Sequence, residues 1–597
     1  MDLRLLRINR GEVISTYFFS VGVTEKIHRL KSEFTKLSSF DSDEMDEHKF
    51  NNGFDILIFG KDKNSSIQKK HHNFFRGMLV NHEDGEIVFG QNGFDLWKQK
   101  TERKDYGTFE GGFLSIEWSA KRIHIQHDCF GLYPIFCYND HEICIASDSL
   151  FMISKAMKII GKPVRLNQNT NLTRSWTYGL ACSIMTRETI IQDVFYIMPC
   201  SDLEITTHGS NLICLEKHLD IKKVFDSEKK PYMETLVQAK NEIISLTNSV
   251  TENSTLGYKL GLSGGLDSRV ILALLLQLSK GLKNVHINSN IHVSRKEDYT
   301  IAKSLGEKFG FQINQEIPAG GNKSIRVTNP FGNFVLFNLG VFDMTYLYRS
   351  YWDTPTIIEI GGHGAEIAKG TFSNVRLTRK MPLWRPDKKI ALHRDIRSSL
   401  NPFGIKMRIK DSTQWHHLLY KSAIQNGRYL ERTQISLRPL MNRKLAALGL
   451  NNDYNENTIL KDLLILLSPE LAAEPFDEFG KNIDRKYIEK IIKESSNYNT
   501  KSPREYIFYG NSEMMKNGLL HSFNSLLQQY ELKTIDKKKA ILDLMENIWS
   551  EIGDEKLKRA YSNAYKMAQK RLNDENSYLP SAGSPASKII ALGILFD

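Results

Sequence analysis

From residue 256 onward the chain alternates between short β-branched runs and long apolar helical periods, and this alternation constrains the fold more than any other feature. LGYKLGLS gives way to SRVILALLLQLSK, then NVHINSN, EDYTIAKSLGEKFG and QINQEI, and TPTIIEIGG follows after a further helical stretch. Strands separated by helices pair in parallel through crossovers, so the pattern predicts a parallel sheet with helices on both faces and ligands at the strands' carboxyl ends. Beyond Lys389 the sequence reads as predominantly helical, with no strand series.

The first ~215 residues follow a different rule. GFDILIFG, GEIVFG, FLSIEW, RIHIQHD and HEICIAS are short aromatic and β-branched runs separated by turn residues, the pattern of an antiparallel sandwich. Near Asp220 the pattern changes: Lys222 to Lys230 is polar, and METLVQAKNEIISLTNSV then opens a helical period. At 597 residues the chain exceeds one ordinary core. The reading is therefore a two-domain protein of mixed class (α/β plus α+β), with one domain at 1–225 and a second at 226–597.

A hydrophobic fraction of 41% against 25% charged residues is that of a globular chain. The opening MDLRLLRINRGEVIST has no apolar core of a signal peptide, and VILALLLQL is too short to cross a bilayer, so a cytoplasmic protein without membrane association is expected. A net charge of +11 suits anionic small molecules, and its scatter without any nucleic-acid motif argues against a nucleic-acid partner. The six cysteines form no C-x-x-C pair, so reduced buried thiols are expected rather than zinc.

Leu262-Ser263-Gly264-Gly265-Leu266-Asp267-Ser268 sits where the first parallel strand hands over to a helix. Two glycines let consecutive N–H groups converge on one anion, and the helix adds its positive end. Ser263 and Ser268 supply hydroxyl donors, and Asp267 is placed to hold Mg²⁺ beside phosphate. No lysine stands in the loop, so the Walker pattern and a kinase-type reading are set aside.

At these residues the chain resembles the asparagine synthetase family, whose Ser-Gly-Gly-Leu-Asp-Ser loop binds the pyrophosphate of ATP. Gly362-His363-Gly364-Ala365-Glu366 is similar to the family's G-x-G-x-[DE] segment at a later strand end. The resemblance implies a PP-loop (HUP-like) synthetase domain with a helical extension, using ATP and Mg²⁺. It implies metal ligation by Asp267 and Glu366, nucleotide contacts from the loop, Gly362 and Gly364, and adenosine contacts from Asn288 and Ser289. Histidine between the glycines resembles the lasso-peptide cyclases, and His363 is a candidate base for the attacking amine. The family's lysine segment is replaced by LSPELAAEPFDEFGKNIDRK, in which Lys481 is the nearest substitute.

The N-terminal region resembles the class II glutamine amidotransferase domain, an Ntn-type αββα sandwich. FEGGFLSIEWSAKRIHIQHDCFGLYPIFCY carries the match, with Asp128, Gly131 and Pro134 in register. That glutaminase uses an N-terminal cysteine, whereas this sequence begins Met1-Asp2 and its first cysteine is Cys129. The same loss occurs in β-lactam synthetase and the lasso-peptide cyclases, which take an amine from the substrate. The expectation is an AMP-forming carbon–nitrogen ligase that adenylates a carboxylate and closes a lactam or macrolactam without hydrolysing glutamine. Its substrate would be a small molecule or peptide bearing both groups, with partner proteins of a peptide-modifying or polysaccharide pathway. Ammonia-dependent amidation of a sugar acid or amino acid, and a catalytically inactive binding homologue, are the alternatives.

Overall fold

The computed structural model describes residues 17–37, 45–51, 53–59, 72–101, 103, 105–177, 179–225, 231–253, 257–291, 296–315, 324–326, 329–347, 350–352, 357–370, 386–406, 412–430, 435–450, 457–498, 504–510, 528–532, 534 and 536–596. Among the described residues twelve strands precede residue 220: β1 (Phe18–Val23), β2 (Met45–Asn51), β3 (Phe54–Phe59), β4 (Asn73–Asn81), β5 (Glu86–Phe89), β6 (Glu110–Trp118), β7 (Arg122–His127), β8 (Ile135–Asn139), β9 (Ile143–Ser147), β10 (Val194–Ile197), β11 (Ser201–His208) and β12 (Asn211–His218). One sheet runs β10-β8-β9-β1-β3-β2, and the other contains β12-β11-β7-β6-β4-β5.

Alternation along the strands builds the layers. Phe19 and Val21 of β1, Ile56 and Ile58 of β3, and Ile123 and Ile125 of β7 fill one buried cluster between the sheets. The intervening Phe18, Leu57 and Phe59 point the other way, onto Ile27, Leu30 and Phe34 of the helix Thr24–Leu37. The far sheet does the same with Phe75 and Leu79 against Phe94 and Trp97 of the helix Gly90–Lys100. Helix, sheet, sheet and helix therefore stack in the four layers that the sequence pattern implies. Between β7 and β8 the Asp128 carboxylate accepts the N–H groups of Phe130 (3.0 Å) and Leu132 (2.9 Å), and Gly131 takes φ +65°.

The remaining strands are β13 (Gly257–Gly261), β14 (Val285–Asn288), β15 (Ser324–Arg326), β16 (Ser350–Trp352), β17 (Ile357–Ile360), β18 (Ile435–Leu437) and β19 (Ile507–Tyr509). A four-stranded sheet runs β14-β13-β17-β18 with every pairing parallel. The helix Leu266–Leu276, buried from Arg269 to Leu275, lies between this sheet and the helix Thr458–Leu467. An apolar run without a polar face requires such cover on both sides.

One reading of the sequence needs correction. QINQEI forms no strand over its described part, only a parallel bridge between Ile313 and Ile287. The stretch beyond Lys389 is predominantly helical over its described residues, and two short strands stand in it: β18 completes the parallel sheet and β19 pairs in parallel with β5 of the N-terminal sandwich. Three-residue strands carry too little periodicity to be read locally; long-range pairing creates them. The two halves also share a core, since the helix Leu579–Ile594 packs into the cluster holding Leu150 and Ile153. Ser154 Oγ donates to Leu595 O at 2.6 Å across that join. Among the described residues no helix is long and apolar enough to cross a membrane.

Candidate functional site

The loop after β13 is held open by its own side chains. Ser268 Oγ accepts the Ser263 N–H at 3.0 Å and lies 3.0 Å from Ser263 Oγ, and Asp298 Oδ1 accepts the Gly264 N–H at 2.9 Å. Gly265 N–H points to Ser263 Oγ at a long 3.3 Å, and Gly265, which precedes the helix Leu266–Leu276, offers no side-chain cap. An uncapped N-terminus of an eleven-residue helix leaves N–H groups for an anion.

A second loop closes over the first. A Cβ on Gly264 would lie 2.8 Å from Cβ of Asp477, so only glycine permits the approach. Arg269, fully buried, reaches across to donate to Glu474 O (2.8 Å) and Pro475 O (2.6 Å), and its guanidinium lies 3.7 Å from the Phe476 ring centre. This clamp carries Lys481 to the site. Burial lowers the Arg269 pKa to about 10, which still leaves it charged at neutral pH.

The second motif arrives from β17. Gly361 N–H bonds to Leu437 O at 3.2 Å, and a Cβ on Gly362 would stand 2.9 Å from Cβ of Asp267, so the two glycine-rich turns touch. Gly364 takes φ +96°, a conformation suited to glycine, and starts the turn Ala365–Ala368 that carries Glu366. Asn426 Nδ2 donates to Glu366 Oε1 at 2.9 Å, Ser422 Oγ donates at 3.3 Å, and Glu366 Oε2 accepts the Gly364 N–H at 3.1 Å. His363 belongs to the same cluster. Burial lowers its pKa below the usual histidine value and the charge of Arg438 adds to this, against the opposing pull of Glu366 and Glu359.

Ser263, Gly265, Leu266, Asp267 and Lys481 line one cavity of about 120 Å³, together with Lys369, Asn457, Lys461 and Phe476. Three lysines and one aspartate are thus among its lining residues. Lys369 Nζ lies 2.5 Å from Asp267 Oδ1. Burial raises the Asp267 pKa and repulsion from Glu366 adds to it, against the attraction of Lys369 and Lys481. Burial lowers the Lys481 pKa, but hydrogen bonds to Glu478 and Asp477 outweigh it and hold the ammonium above its ordinary value.

The structure thus brings Leu266, Asp267 and Lys481 to the cavity with Ser263 and Gly265, while Gly362 abuts Asp267 from outside it. His363 and Glu366 lie in the adjoining cluster and do not line the cavity. Leu262 N–H bonds to Asn288 O at 2.8 Å, which sets β14 beside the loop. Asn314 fixes the Ser289 backbone at 2.8 and 3.0 Å. The Asn288 Oδ1 and Ser289 Oγ atoms are buried and make no hydrogen bond among the described residues.

Lys369 and Lys461 escaped the sequence reading. Lys369 stands three residues past Glu366, and Lys461 interrupts the apolar run TILKDLLILL; that break in an otherwise apolar helix was the available signal. Asp298, from the next helix, is the residue that fixes Gly264.

No family model matches the chain, and no curated protein matches it. Among solved structures, one described as the allosteric regulatory enzyme of purine biosynthesis aligns with TM-score 0.19 and 5% identity over 41% of this chain and 60% of that one. The chain therefore spans less than two thirds of that protein's length. A glutamine phosphoribosylpyrophosphate amidotransferase from B. subtilis, complexed with ADP and GMP, aligns with TM-score 0.20 and 7% identity over 59% of this chain and 77% of that one. At scores of this size the architecture rests on the chain's own layers and sheet order.

Proposed function

We propose that this chain is an ATP-dependent, AMP-forming amide-bond synthetase of the asparagine synthetase type, which adenylates a substrate carboxylate and passes the acyl group to a substrate amine. The observation that carries the reading is the cavity where an uncapped helix N-terminus, the Ser263–Ser268 loop and three lysines converge. Such a site favours a polyphosphate over any neutral ligand.

In this reading the N–H groups at the start of the helix Leu266–Leu276 and the Ser263 and Ser268 hydroxyls hold the β- and γ-phosphates. Lys369, Lys461 and Lys481 stabilise the charge that grows on departing pyrophosphate while the carboxylate attacks the α-phosphorus. Asp267 supplies a hard oxygen donor for Mg²⁺, which would neutralise phosphate charge, and Lys369 must then shift from Asp267 toward the phosphates. Glu366 keeps further lone pairs despite its three hydrogen bonds, so it fits as a supporting ligand. His363, with its lowered pKa, is neutral at pH 7 and able to take the proton of the attacking ammonium.

Pyrophosphate release from Mg-ATP in the presence of candidate acids tests the first half-reaction, and Asp267→Ala is expected to abolish it. Ring closure is separated from ammonia-dependent amidation by supplying ammonium as the sole amine. A purified chain that binds no ATP at millimolar nucleotide would overturn the proposal. The close Lys369–Asp267 pair favours a second reading, a nucleotide-binding module without turnover. ATP binding without pyrophosphate release for any acid would select it.

A further inference from the structure

Two cysteines of one hairpin and a third 70 residues further on meet inside the N-terminal sandwich. Cys137 lies on β8 and Cys144 on β9 of one sheet, and Cys214 lies on β12 of the other. Their sulfur atoms are 3.6 Å apart (Cys137 to Cys144) and 3.8 Å apart (Cys144 to Cys214), and all three fall within 4.8 Å of one another.

These distances have a chemical meaning. Three thiolates at Zn–S bonds of about 2.3 Å, arranged tetrahedrally with the fourth position open, stand about 3.8 Å apart. A disulfide demands about 2.05 Å between sulfurs, so the two sides at 3.6 and 3.8 Å match a metal-bridged set rather than a covalent pair.

The surroundings support this. The β8–β9 turn is pinned to β12 by a Leu212 N–H to His141 O bond of 2.8 Å, which fixes the two sheets' sulfurs relative to each other. Cys137 and Cys144 are buried, and Cys214 is partly buried on β12, an edge strand of its sheet. Among the described residues no fourth His, Cys, Asp or Glu donor joins the group.

We propose that Cys137, Cys144 and Cys214 form a binding site for a soft d¹⁰ cation such as Zn²⁺, separate from the phosphate cavity and bridging the two sheets. Binding replaces the thiol protons by the metal, and those protons pass to solvent, so affinity rises with pH. The spacing rules missed the site because its ligands come from three strands rather than from a local pair.

Titration of the reduced full chain with Cd²⁺, followed by the thiolate-to-cadmium ultraviolet charge-transfer band, tests the proposal. One equivalent is expected to bind, and Zn²⁺ is expected to displace it. Cys214→Ser, at the partly exposed corner, is expected to weaken binding by at least about tenfold while retaining the fold by circular dichroism. Cys200→Ser is expected to leave it unchanged, because Cys200 lies outside the triangle. Absence of the band in fully reduced protein, its survival in Cys137→Ser/Cys144→Ser/Cys214→Ser, or a native disulfide within the trio seen as a two-dalton mass loss would each overturn the assignment.

Discussion

Replacing Arg269 by methionine keeps most of the side-chain volume but removes the guanidinium that ties residues 474–476 to the loop helix. Two charge-assisted hydrogen bonds of about 1.5–3 kcal/mol each are lost, and a desolvated cation–π contact adds about 2 kcal/mol. Against this, burial lowers the Arg269 pKa from 12.5 to about 10, and removing the group recovers about 3 kcal/mol of that cost. The net loss is about 2–5 kcal/mol, which at about 1.4 kcal/mol per decade is roughly a 30- to 5,000-fold rise in local opening. Hydrogen exchange of residues 474–482 reads it directly, because the Asp477 N–H donates to Gly264 O at 3.3 Å and the Lys481 N–H to Glu478 O at 2.9 Å. Nucleotide affinity should fall in parallel, since Lys481 rides on this segment. Unchanged protection there, in a variant that folds, would refute the view that Arg269 holds the cavity together.

Gly264→Ala places a methyl 2.8 Å from Asp477 Cβ, and is expected to cost at least about tenfold in ATP affinity by calorimetry with the far-ultraviolet spectrum unchanged. Buried Lys588 pairs with Asp343 at 2.5 Å, and Asp343 also pairs with Arg174; Lys588→Met should lower the denaturation midpoint, with a loss of about 3 kcal/mol where the C-terminal helix docks. The buried join of Tyr506, His82, Glu110 and Arg443 gives a pH dependence. Burial lowers the His82 pKa but Glu110 outweighs it and raises it above 6.5, so this contribution is full below 6.5 and lost as pH rises through the folded value. Burial raises the Glu110 pKa but His82 and Arg443 outweigh it and bring it below 4.5, so that contribution is full above 4.5 and lost as pH falls through the folded value. The join should be tightest between those two values, and His82→Gln should flatten the alkaline decline seen in thermal melts.

What the sequence determined by itself is local. Alternation in GFDILIFG and RIHIQHD sets sandwich strands, because a pleated strand exposes its two faces every second residue. The strand-to-helix handover at Ser263–Ser268 sets an anion-accepting turn, because glycine freedom and a helix end are properties of a few contiguous residues. Tertiary structure alone decided what depends on distant segments meeting. It placed Lys369 and Lys461 against Asp267, drew β19 and the last helix onto the N-terminal sandwich, and gathered three thiols from two sheets. Side chains brought together from separate elements leave no periodic trace in the chain. Their meeting is fixed by how whole layers pack, and packing is the sum of many contacts that no single motif encodes.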